Sequence, residues 1–94
     1  MTNRKRNSRE KLAEEFFHVQ FFLIEHLRIK THSKLLVNDI FVAYQKWRER
    51  QDKQPTILSV DSFGRFFPRH YKRKNIRVGS DTGRGLENMV LVGI

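Results

Sequence analysis

Apolar positions along the chain fall into separate patches with different spacing. In the first, Leu12, Phe16, Val19, Leu23 and Leu27 recur every three or four residues, the period of an α-helix, and Ala13, Phe17, Phe21, Phe22 and Ile24 widen the stripe. The spacing predicts a helix over residues 8–29, opened by Asn7 in the capping position with Glu10 three residues on. A helix apolar over so much of its circumference has to be covered on more than one side, by its own domain or by a partner. Thr31, His32 and Ser33 break the period, and Leu35, Leu36 and Val37 make a run that suits a brief strand. Asn38 is a capping residue with Asp39 in the first turn behind it. Ile40, Phe41, Tyr44 and Trp47 then share one face of a second helix that ends near Asp52.

Ser59 caps a short third helix, with Asp61 in its first turn and Phe63, Phe66 and Phe67 on its inner face. Ser62, Arg65 and Arg69 fall on the other side of it. Pro68 has no N–H to give and restricts Phe67, so the helix kinks or ends there. Residues 71–78 are basic and extended, residues 79–83 are a turn cluster, and residues 89–92 are an apolar run, which together predict a β-hairpin. The order is helix, short strand, helix, helix, hairpin. It predicts an α+β domain of the winged-helix type: three helices, one short strand and a C-terminal hairpin as the wing. Residues 1–7 are polar and basic and are expected to form an arm, and residues 8–94 the domain itself.

The hydrophobic fraction is 38%, which is low, but 8 Phe, 2 Tyr and 1 Trp offset it because each ring buries a large area. That composition predicts a folded domain with an aromatic core. The absence of cysteine excludes a disulfide framework, a thiolate zinc site and a Cys nucleophile. The longest apolar stretch without a formal charge, residues 16–24, is far shorter than the ~20 residues that cross a bilayer. Arg4, Lys5 and Arg6 run into Glu10, Glu14 and Glu15, a charge order foreign to signal and transit peptides. The expectation is a soluble intracellular protein with no membrane partner.

Charge changes the picture most. Nineteen Lys and Arg against ten Asp and Glu give a formal net charge of +9, and the isoelectric point is about 10.5. So large a surplus on so small a body attracts polyanions, nucleic acid above all. Between Arg65 and Arg84 stand Arg65, Arg69, Lys72, Arg73, Lys74, Arg77 and Arg84, against Asp81 as the acid of that window. Arg65 and Arg69 are expected to meet nucleic acid from the third helix, with Ser62 adding a hydrogen bond. Lys72, Arg73, Lys74, Arg77 and Arg84 are expected to hold phosphates from the wing. Arg4, Lys5 and Arg6 in the arm suit a phosphate backbone or a minor groove.

Rival chemistries are weaker. Helical spacing assigns Tyr44, Trp47 and the Phe residues to the core; Tyr71, beside Lys72, Arg73 and Lys74, is the ring best placed to stack on a base, although a core role suits it better. His18, His26, His32 and His70 show no metal-ligand spacing, so neither a metal nor a cofactor is expected. Glu14 and Glu15 read as surface acids. No nucleophile elbow or phosphate loop is present, and the chain is not expected to be an enzyme.

The residues that carry these readings also carry a resemblance. Ile40-Phe41-x-x-Tyr44-x-x-Trp47, then Phe63-Gly64-Arg65, a basic hairpin and a closing Val92-Gly93-Ile94 are similar to the C-terminal winged-helix domain of phage and poxvirus-type primase–helicases, over residues 35–94. The resemblance implies DNA binding beside a replicative helicase or polymerase, in a phage or mobile element and hence in the cytosol of a bacterial host. The primase and ATPase domains of that family have no counterpart here, so the expectation is a stand-alone accessory protein or an excised domain. Single-stranded and duplex DNA stay open as targets. The alternative reading is a protein–protein adaptor that dimerises, or docks on a polymerase or helicase, through its apolar first helix.

Overall fold

The inner half of the first apolar stripe seeds the core: Val19, Phe22 and Leu23 are shut off from solvent on α1 (Ser8–His26). The structure, a computed structural model, describes residues 8–52 and 55–94. Facing α1 is α2 (Val37–Asp52), whose buried Ile40, Ala43, Tyr44 and Trp47 follow helical spacing. The short α3 (Val60–Arg65) closes the cluster with Phe63, whose ring centroid lies 5.0 Å from Tyr44 and 5.2 Å from Phe41. Phe22 meets Tyr44 edge-on at 5.4 Å, within the range that aromatic pairs favour.

The strands β1 (Leu27–Leu36), β2 (Lys74–Val78) and β3 (Asp81–Leu91) form one antiparallel sheet in the order β1-β3-β2. The domain is therefore α+β, with three helices and a three-stranded antiparallel sheet.

Three boundaries differ from the sequence expectation. α1 stops at His26 rather than residue 29, because Leu27 and Ile29 find ladder partners in Leu91 and Met89. The chain is fastened at that switch: Val92 N–H donates to the His26 carbonyl at 2.8 Å, and Arg28 Nη1 donates to the Ile24 and Leu27 carbonyls at 2.8 and 3.0 Å. The brief strand expected at residues 35–37 is instead the ten-residue β1, with Val37 already in α2. The turn cluster at residues 79–83 contracts to Gly79 and Ser80, since β3 begins at Asp81; Gly79 takes the positive φ of 63°.

The long β1–β3 ladder is possible because of two local features. Between the pairs Ile29↔Met89 and Lys34↔Glu87 the register shifts, so residues 30–33 face Asn88 alone. His32 and Asn88 both adopt positive φ there, 71° and 61°, and His32 N–H donates to Asn88 Oδ1 at 2.9 Å. Gly85 lies where a Cβ would sit 2.6 Å from the Leu35 carbonyl oxygen and inside the Ile76 side chain. A glycine lets β1 and Ile76 close over β3.

At α3, Ser59 caps as expected, its Oγ accepting from Ser62 N–H at 3.2 Å. The helix ends before Pro68, with Phe66 and Phe67 N–H turning back to the Phe63 and Gly64 carbonyls. Asn38 falls inside the first turn of α2 rather than ahead of it. The Asn7 cap and the arm over residues 1–7 lie outside the described residues. Among the described residues no helix is long and apolar enough to cross a membrane.

Candidate nucleic-acid interface

Gly64 leaves a space on α3 that Arg73 fills: a Cβ on Gly64 would lie 2.7 Å from Arg73 Nη1. The guanidinium is thus laid across α3 at the base of the hairpin, half-buried. There it lines a cleft of about 230 Å³ with Arg84 and Thr82 from β3, Asn38 from α2 and Asp61 from α3. Two cations and one acid share this cleft. Among the described residues neither Arg73 nor Arg84 is within ion-pair distance of a carboxylate.

A second cleft of about 250 Å³ holds Lys72 and Lys74 with His70, Tyr71 and Asn88. Glu87 lines it too, and Lys74 Nζ donates to Glu87 Oε1 at 2.9 Å. That hydrogen bond and the Lys74 charge hold the Glu87 carboxyl below its ordinary range, with Lys34 helping from β1. Lys74, expected to hold phosphate, is therefore already paired with a carboxylate. The cause is the length of β3, which carries Glu87 two positions past Gly85, the register partner of Lys74.

The other expected residues are dispersed. Arg65 and Arg69 are exposed at and beyond the end of α3. Ser62 is occupied by the cap, with its hydroxyl accepting from Ser59 Oγ at 3.2 Å. Arg77 sits beside the hairpin turn, its Nε donating to the Gly79 carbonyl at 3.0 Å. Arg4, Lys5 and Arg6 lie outside the described residues. The structure brings Arg73 together with Arg84, and Lys72 together with Lys74, in separate clefts.

Sequence reasoning missed Lys30 and Lys34, exposed on β1 and joined to the wing by the sheet. Their signal was the alternation Leu27-Arg28-Ile29-Lys30, a strand period hidden by the helical stripe that ends on Leu27.

The aromatic residues considered for stacking go to the core. Tyr44 is 0% and Trp47 6% exposed, and the half-buried Tyr71 packs edge-on against Phe67 at 6.3 Å. Glu15 is not the surface acid the sequence suggests: it is 2% exposed. Its carboxylate accepts from the Tyr44 hydroxyl, from Thr56 Oγ1 at 2.6 Å and from Arg48 Nε at 3.3 Å. Burial, then the bond to Glu15, pushes the Tyr44 phenol far above its usual pKa. This network ties α1, α2 and the connector before α3. Among the described residues no group of three His, Asp or Glu side chains is placed to hold a metal ion.

Comparison with protein-family models, curated proteins and solved structures finds no match to this chain.

Proposed function

We propose that this protein binds DNA through its phosphate backbone, using the hairpin and α3 of a small winged-helix domain. The observation that carries the reading is the pair Arg73 and Arg84 in one cleft, neither of them bonded to a carboxylate among the described residues. Exposed Arg65, Arg69, Lys72 and Arg77 add to that charge. The winged-helix reading draws support from the order helix, strand, helix, helix, hairpin, with β1 paired to the last strand of the hairpin. With α3 only six residues long and Ser62 used as a cap partner, contacts to phosphates outweigh reading of base edges. The resemblance to primase–helicase C-terminal domains supplies a setting: replication of a phage or mobile element in the bacterial cytosol, beside a polymerase or helicase.

Six cations each neutralising one phosphate give a slope of log affinity against log salt of roughly −4 to −5, at ~0.7–0.9 per contact. Fluorescence anisotropy with matched single-stranded and duplex oligonucleotides, over a salt series, measures that slope and the preferred form together. Replacing Arg73 and Arg84 by Ala should weaken binding on all sequences and make the slope shallower by about 1.4–1.8. No binding to either form at low salt, or an unchanged slope in the double variant, overturns the reading.

A further inference from the structure

The side of α1 that faces away from the core is apolar. Phe17 is 61%, Phe21 60% and Ile24 71% exposed. At 3.6 residues per turn they point directly away from the buried Val19, Phe22 and Leu23. They belong to a longer row, Glu10, Glu14, Phe17, Phe21 and Ile24, spaced alternately by four and three residues along α1. That is the seam spacing of a coiled coil, with acids at its N-terminal end. A patch of this kind on a small domain marks an interaction surface.

We propose that a second copy of this chain docks here, α1 against α1, antiparallel about a two-fold axis that passes between Phe17 and Phe21. Charge decides both the occupant and the direction. A parallel pair would set Lys11 and Glu25 against the partner's uncharged flank, Ala13 and Gln20, with no opposite charge to meet. The antiparallel pair stacks Phe17 on Phe21 twice by symmetry. The row flanking the seam agrees. Lys11, His18 and Glu25 follow one another at seven-residue intervals, so Lys11 of one copy meets Glu25 of the other, and this also happens twice. The opposite flank, Ala13 and Gln20, is uncharged. A helix bound to acidic lipid would instead carry Lys and Arg on both flanks.

A helix pair of this length buries roughly 1,000 Å² in total, at the low end of specific interfaces, so the dimer should be reversible in the micromolar range. Sedimentation velocity of the full chain without DNA, from about 1 to about 300 µM, tests it. The expected result is a mass rising from one copy to two with concentration. Phe21→Glu, on an exposed position, should stay monomeric with unchanged helical circular dichroism. Lys11→Glu should weaken association about fivefold to tenfold, and Lys11→Glu with Glu25→Lys should restore it. A monomer at every concentration overturns the proposal. So does a dimer indifferent to Phe21→Glu, or a charge swap that restores nothing. A monomer that pellets with acidic phospholipid vesicles unless Phe21 is replaced would assign the face to a membrane surface instead.

Discussion

Glu15 accepts three hydrogen bonds inside the core, and its removal takes an acceptor from Tyr44, Arg48 and Thr56. Glu15→Ala leaves the Arg48 guanidinium and the Tyr44 hydroxyl without this acceptor in a buried site, which should lower stability by about 3–5 kcal/mol in urea unfolding. Tyr44→Phe keeps the ring and loses one bond, and should cost about 1–2 kcal/mol at neutral pH. The two differ again in alkali. The unfolded chain releases the tyrosine proton near pH 10.0, while the folded protein holds it to higher pH, so the folded state binds more protons above that point. Stability is therefore full below pH 10 and falls as pH rises past it; Tyr44→Phe should fall less steeply in the same measurement. The aromatic half of this site was legible, since Tyr44 and Trp47 share a helical face with Ile40. Glu15 was not. It stands next to Glu14 with the same local signature, and what distinguishes it are partners 29, 33 and 41 residues further along the chain.

The β1–β3 ladder depends on Gly85 and Asn88. Any side chain at position 85 meets the Leu35 carbonyl and the Ile76 side chain, so Gly85→Val should lower stability by about 1–3 kcal/mol, read as a lower melting temperature. At Asn88 a pair of variants separates conformation from bonding. Asn88→Gly keeps access to the positive φ of 61° and loses only the bond from His32 N–H, whereas Asn88→Ala loses both and should be the less stable of the two by about 1 kcal/mol. Equal stability of the two would mean that the backbone geometry at the bulge carries no strain. The helices α1 and α2 were legible because their apolar periods are long, and α3 because its Ser59 cap is local. The junction at His26 was not, since the helical stripe runs on to Leu27 while the competing partners, Leu91 and Met89, are supplied by the far end of the chain. The same ladder determines which cations and acids become neighbours.

For the whole molecule, the charge surplus was readable from composition, but its arrangement depended on the sheet. Glu87 falls outside the basic window of residues 65–84 in sequence and yet meets it in space, bonded to Lys74 and close to Lys34. If DNA lies along this face, Glu87 opposes binding in two ways, by its own charge and by holding an ammonium group that would otherwise meet phosphate. Glu87→Gln should therefore tighten binding by roughly threefold to tenfold at low salt, and steepen the salt slope by about 0.7–0.9, one further phosphate contact. The change of net charge alone has to be separated from its position. Glu49→Gln, on the exposed side of α2, makes the same change of +1 without freeing a cation at the hairpin. If both variants gain equally, the protein attracts DNA by its overall field and Lys74 makes no contact of its own. If Glu87→Gln gains and Glu49→Gln does not, the groove of Lys72 and Lys74 lies against the nucleic acid along with the Arg73–Arg84 cleft. A gain in neither confines the interface to the Arg73–Arg84 side of the sheet.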